Sequence, residues 1–138
     1  MRQIQGIELW IGNAADIRDM SKIHSSGIEA IVDLAMDELP AYVTRDLVYC
    51  RFPILDGAGN SAWLLRSAVS TVCELIRSGV PTILSCSAGM SRSLCIAAAA
   101  ISQVRQVAPS DALMLTTRAA ASDISPALWS DIMNTLDV

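Results

Sequence analysis

With 138 residues, the chain is one domain's worth of sequence, long enough to bury a core without a disulfide or metal staple. A hydrophobic content of 52% excludes intrinsic disorder. Ten basic against 14 acidic side chains leave a net charge of −4, which argues against sequence-independent nucleic-acid binding, a task for clustered Lys and Arg.

Apolar runs such as Cys95–Ile101 fall short of the ~20 residues that cross a bilayer. The opening MRQIQGIELWIGN has no long apolar region followed by a small-residue cleavage site, so no secretory signal is expected. The cysteines Cys50, Cys73, Cys86 and Cys95 form no CxxC pair, and His24 is the one histidine, so no zinc site is expected. Reduced thiols and a cytoplasmic location follow as expectations.

Ile7–Ile11 reads as a first strand. Residues 16–25 read as one helix, stopped by Gly27. Ala30–Leu34 is a buried strand and Leu47–Phe52 another, followed by a loop at Pro53–Asn60 rich in turn formers. Ser61 can cap a long helix through Ser78, with Leu64, Leu65, Ala68, Val69, Val72, Leu75 and Ile76 on its apolar side, and Gly79 ends it. Trp63 is expected to pack in the core, with a pocket rim as the alternative. Thr82–Ser85 is the next strand. A tight loop, Cys86–Ser91, leads into a helix over about 92–104, with Ala97–Ala100 as a tight packing surface. Pro109 and Pro126 open two more helices, as proline suits a first turn. This alternation predicts a three-layer α/β domain: a mainly parallel sheet of four or five strands flanked by helices. Ligands in such sheets bind beyond the carboxyl ends of the strands.

The informative stretch is TILSCSAGMSRS, residues 82–93. An apolar strand runs into a cysteine, five small or flexible residues, an arginine and a helix. The backbone N–H groups of Ser87, Ala88, Gly89, Met90 and Ser91 can turn inward around an anion, and Gly89 allows a left-handed turn. The helix N-terminus adds unpaired N–H groups and its positive dipole end. Arg92 adds a planar fork that matches two phosphate oxygens. The same positive field favours negative charge on the Cys86 sulfur, and a thiolate is the nucleophile that can attack phosphorus.

CSAGMSRS resembles the Cx5R signature of the protein tyrosine phosphatases, in the CxxGxSRS form of their dual-specificity group. Weaker similarity extends over the strand–helix–strand opening, the Asp-Gly loop and the closing ISPALW. The resemblance implies a single catalytic domain over residues 1–138, of the protein tyrosine phosphatase fold, with no cofactor and no metal. It implies that Cys86 is the nucleophile, that Arg92 binds phosphate, and that Ser93 supplies the hydroxyl that helps sulfur leave. It also requires a general acid. Asp56, on the loop DGAGN and 30 residues before Cys86, has the matching spacing; Asp37 and Asp33 are the alternatives. Positioned proton transfer contributes ~10²–10⁴-fold. Gly57 and Gly59 would let the loop move over substrate. One residue departs from the pattern: Ser85 stands where the family has histidine before the cysteine, which points to a less rigid loop and reduced activity.

The implied activity is hydrolysis of phosphotyrosine in a phosphoprotein or phosphopeptide, through a phosphocysteine intermediate, with phosphoserine and phosphothreonine left open. The alternative is a phosphate-binding module of low or no turnover, a pseudophosphatase. A rhodanese-type sulfurtransferase is disfavoured by the five residues between Cys86 and Arg92. Inositol lipid or RNA 5′-end substrates are disfavoured because residues 87–91 carry no cation. No nucleic-acid or membrane partner is expected. Oligomeric state stays open, as does a redox role for Cys50 or Cys95 in shielding an oxidised Cys86. A plain turn role for Asp56 is the competing reading of its Asp-Gly pair.

Overall fold

The computed structural model describes residues 1–43, 46–119 and 121–136. Its elements run in chain order: β1 (Arg2–Gln3), β2 (Leu9–Asn13), α1 (Ala14–Arg18), α2 (Met20–Ser25), β3 (Ala30–Ala35), β4 (Val48–Ile54), α3 (Ala62–Arg77), β5 (Thr82–Cys86), α4 (Arg92–Arg105), α5 (Pro109–Ala119) and α6 (Pro126–Leu136). One five-stranded sheet has the order β1-β2-β5-β3-β4. Strands β2, β5, β3 and β4 are mutually parallel, and only the two-residue β1 is antiparallel. This is the layered, mainly parallel sheet that the strand–helix alternation predicts.

Side chains alternate across the pleat. Val32, Leu34 and Leu84 join a large core with α3, α4, α5 and α6. Ile31 and Ile83 point the other way, into a smaller core with Ile17 and Ile23 of α1 and α2. Both faces are therefore covered, as a parallel sheet requires. The first ten residues of α4, Arg92 to Ile101, are all buried. The small side chains Ala97–Ala100 suit a helix enclosed by neighbours on every side.

Several boundaries differ from the expectations. The first strand is β2, shifted to 9–13. The expected 16–25 helix is two helices, broken at Asp19. The Asp19 N–H closes α1 on the Asp16 carbonyl, and its side chain accepts from the Lys22 N–H to cap α2. Strand β4 continues through Pro53 into Ile54, where a loop was expected. Proline is tolerated there because β4 is an edge strand, with no ladder partner on one side. Ser61 makes no side-chain cap. Trp63 lies neither in the core nor on the cleft described below: it is 62% exposed, on the outer side of α3 from Leu65, Ala68, Val69 and Val72. Gly79 does turn left-handed at the end of α3, with φ +67.

Parallel pairing gives the sheet one carboxyl edge. The last residues of β2, β3, β4 and β5 are Asn13, Ala35, Ile54 and Cys86, and they share it. The loops that leave this edge carry Asp37, Asp56 and residues 87–91, which are far apart in sequence. Among the described residues, no helix is long and apolar enough to cross a membrane.

Candidate active site

A cleft of about 500 Å³ opens at that edge. Its lining includes Asp37, Asp56, Cys86, Ser87, Ser91 and Arg92, with Met36, Leu55 and Met90 as apolar walls. Cys86 is the last residue of the central strand β5 and is 2% exposed. The chain then turns through residues 87–91 into α4, and Arg92 is the first residue of that helix.

The turn is fixed from behind by the close approach of two glycines. Gly89 is left-handed, with φ +72, and a Cβ on it would sit 2.7 Å from the Gly12 carbonyl oxygen. A Cβ on Gly12 would meet the Ile83 side chain at 2.7 Å. The Ala14 N–H also donates to the Ser87 carbonyl at 3.3 Å. The loop thus rests on the end of β2, and Gly89 faces away from the cleft that Ser87, Ala88, Met90 and Ser91 line. Gly89→Ala is expected to lower stability by roughly 1–3 kcal/mol, from strained backbone plus a contact with backbone that cannot yield. A thermal melt against wild type measures it.

Arg92 is 5% exposed. Its Nη1 donates to Asp37 Oδ1 at 2.7 Å and to the Ile54 carbonyl at 3.0 Å, and its Nη2 donates to Ser87 Oγ at 3.1 Å. Ser87 Oγ donates in turn to Asp37 Oδ2 at 2.8 Å. Hydrogen bonding from Arg92, then from Ser87, holds the Asp37 carboxyl down at about 2. Burial works against the Arg92 charge, but the Asp37 carboxylate outweighs it and keeps the guanidinium firmly protonated. Asp37, an alternative acid in the sequence reading, is therefore an ionised partner of Arg92. Asp33, the other alternative, is 1% exposed and engaged elsewhere. It accepts from the Ala35 N–H at 3.1 Å and the Tyr49 hydroxyl at 2.6 Å, bridging the irregularity in the β3–β4 register.

Asp56 is exposed at the mouth of the cleft. Its Oδ1 accepts from Ser91 Oγ at 2.7 Å, and Ser91 Oγ accepts from the Ser125 N–H at 3.0 Å. The 55–60 turn is closed by Asn60. Its Oδ1 accepts from the Leu55 N–H at 2.8 Å, and its Nδ2 donates to the carbonyls of Leu55 at 3.0 Å and Gly57 at 3.2 Å. Both glycines of the DGAGN loop thus lie in a turn pinned by a side chain. Asn60, Ser91 as a side-chain bridge, and Asp37 as the arginine's partner are the site residues that sequence reasoning missed. Only Asn60 left a local signal, as an Asx residue at the end of a Gly-rich turn.

Ser93 is fully buried under the loop, and its Oγ has no hydrogen-bond partner among the described residues; the same holds for Ser85 Oγ. Cys50 pairs in register with Val32, and Val32 with Leu84, two residues short of Cys86. Two strand spacings of ~4.8 Å exceed the ~7 Å Cα limit of a disulfide, so the Cys50 pairing is ruled out in this conformation. Burial, reinforced by the charges of Asp56 and Cys86, pushes the Cys95 thiol up to about 12, which disfavours the thiolate that exchange requires. Among the described residues, no group of three or more His, Cys, Asp or Glu could hold a metal ion.

No family model matches the sequence, and no curated protein does. Solved structures match over nearly the whole chain. Human DUSP28 superposes with a TM-score of 0.86 at 17% identity, covering 99% of this chain and 96% of that one. A mouse putative dual specificity phosphatase, complexed with zinc tungstate, gives 0.85 at 19%, covering 97% and 84%. Human tyrosine phosphatase-like serine/threonine/tyrosine-interacting protein gives 0.84 at 16%, covering 99% and 95%. The chain has the fold of the dual-specificity phosphatases.

Proposed function

We propose that the chain is a cysteine-dependent phosphatase that hydrolyses phosphotyrosine in proteins through a phosphocysteine intermediate. The observation that carries this reading is the convergence of Cys86, Arg92 and Asp56 on one cleft, from the ends of two strands, β4 and β5, that are far apart in sequence. The dual-specificity phosphatase fold supports it.

The residues divide the chemistry as follows. Backbone N–H groups of residues 87–91, the α4 N-terminus and Arg92 hold the three non-bridging phosphate oxygens. The Cys86 thiolate attacks phosphorus. The S–P bond forms as the bond to the tyrosine oxygen breaks, and the Asp56 carboxyl gives that oxygen its proton. In the second step the Asp56 carboxylate takes a proton from water as the water oxygen attacks phosphorus. The S–P bond breaks and sulfur leaves as thiolate. The buried Ser93 hydroxyl, without a hydrogen-bond partner among the described residues, is a donor that can stabilise it. Met36, Leu55 and Met90 give the cleft apolar walls, which suit an aromatic leaving group.

Asp56 assigns the reaction its acid, so Asp56→Asn is the discriminating variant. It is expected to lower kcat for aryl phosphate about 10²-fold and to flatten the limb of the pH–rate profile that requires a protonated acid. An unchanged profile would remove Asp56 from the mechanism and return it to a turn role. A binding-only module predicts that neither wild type nor variant turns over aryl phosphate.

A further inference from the structure

Beside the cleft, the loop after β3 holds three large apolar side chains in solvent: Met36 is 52% exposed, Leu39 80% and Tyr42 90%. The loop backbone is fastened. Arg51 Nη2 donates to the carbonyls of Ala35, at 3.1 Å, and Glu38. Arg18 Nη2 donates to the Leu39 carbonyl at 3.1 Å and pairs with Glu38 at 3.5 Å. The Ala41 N–H donates to the Tyr49 hydroxyl at 2.9 Å. The chain is tied down on both sides of Leu39, yet Leu39 and Tyr42 stay out of the core. A second cleft of about 590 Å³ runs along them, lined by Arg18, Glu38, Leu39, Pro40 and Tyr42. An exposed apolar patch of this kind marks a binding surface. It adjoins the catalytic cleft along the chain: Met36 and Asp37, the preceding residues of the same loop, line that cleft, and Asp37 touches Arg92.

We propose that this strip docks the polypeptide flanking the phosphorylated residue of a protein substrate and takes one apolar side chain of it. The proposal rests on the phosphatase reading of Cys86. Adjacency to the cleft on one loop selects the occupant, since any chain whose phosphate lies on Arg92 must leave the site past its rim. Leu39 and Tyr42 lie two and five residues beyond Asp37. The loop turns at residues 36–38 before it reaches them, so the apolar side chain that docks is sought over several positions on either side of the phosphotyrosine. Arg18 neutralises Glu38, so the contact is apolar rather than ionic.

The test uses wild type and L39S/Y42S, with p-nitrophenyl phosphate and phosphotyrosine peptides that carry Leu or Ser at positions two to five on either side. Wild type is expected to favour one set of Leu peptides by about tenfold in kcat/KM, the scale of a partly buried aliphatic side chain. L39S/Y42S should lose that preference and keep its rate on p-nitrophenyl phosphate. Equal rates on Leu and Ser peptides, or a preference that survives L39S/Y42S, overturn the proposal. So does a wild-type dimer in sedimentation that L39S/Y42S dissociates with peptide preference unchanged, since the strip then serves a second copy. If wild type hydrolyses no substrate at all, the phosphatase reading fails. Calorimetric binding of the same peptide pairs then decides the strip: weaker binding of the Ser peptides, abolished in L39S/Y42S, supports it, and equal affinities overturn it.

Discussion

Cys86→Ser is expected to abolish hydrolysis of aryl phosphate, by roughly 10⁴-fold or more, while leaving phosphopeptide binding intact. The magnitude follows from the role: loss of a covalent nucleophile removes the reaction path rather than weakening it. A serine hydroxyl in the same place is scarcely ionised and is a far poorer nucleophile toward phosphorus. Retained binding follows from geometry, since the anion cradle is made by other atoms. The backbone of residues 87–91 is set by Gly89 against Gly12, and Arg92 is set by Asp37, Ile54 and Ser87. None of these contacts involves the sulfur. The replacement is also nearly isosteric at a site that is 2% exposed, so the fold should tolerate it. Single-turnover kinetics and calorimetry with one phosphotyrosine peptide read both halves. Residual steady turnover near wild-type level would show that Cys86 is not the nucleophile. Loss of binding together with turnover would show that the thiol shapes the cradle.

The parts of the site that the sequence revealed are the local ones. Cys86, Gly89 and Arg92 lie within a single strand–loop–helix, where the spacing of residue types is itself the geometry. Asp56 was accessible because the strand before it ends near the same edge. The partner of Arg92 was not. Asp37 lies 55 residues away, and nothing in its neighbourhood distinguishes an arginine clamp from a spare acid; only the pairing of β3 beside β5 brings it there. The bridge Asp56–Ser91–Ser125 spans three loops and is equally invisible in a linear reading. The fold class was legible because both faces of the sheet demand apolar residues, a pattern that survives boundary errors. The missed pieces lack such a pattern. Strand β1 is two exposed residues. The break at Asp19 depends on one side chain serving two helix ends, and β4 overrides Pro53 because an edge position costs it nothing.

Arg92→Lys should be severe even though it keeps the charge. Arg92 does two things that a single ammonium cannot do at once. Its Nη1 joins the Asp37 carboxylate to the Ile54 carbonyl, and its Nη2 reaches Ser87. Ile54 is the end of β4, two residues before Asp56, so one guanidinium ties the 87–91 loop to the loop that carries Asp56. A lysine offers a point charge without the planar fork. The buried Ile54 carbonyl or the Asp37 carboxylate would then lose its donor, and the phosphate would lose its bidentate partner. A fall in kcat/KM of about 10²–10³-fold is expected, the scale of one removed transition-state donor. A second readout is independent of turnover. Asp37 is held at about 2 chiefly by Arg92, so the wild-type pair is complete above the ordinary carboxylate range and is lost only as pH falls through about 2. Weakening that hydrogen bond should move the Asp37 titration upward toward its ordinary value, followed by carboxyl-carbon NMR between pH 5 and pH 2. If lysine leaves both the rate and the Asp37 titration unchanged, the clamp is an incidental surface contact, and Arg92 binds phosphate through charge alone.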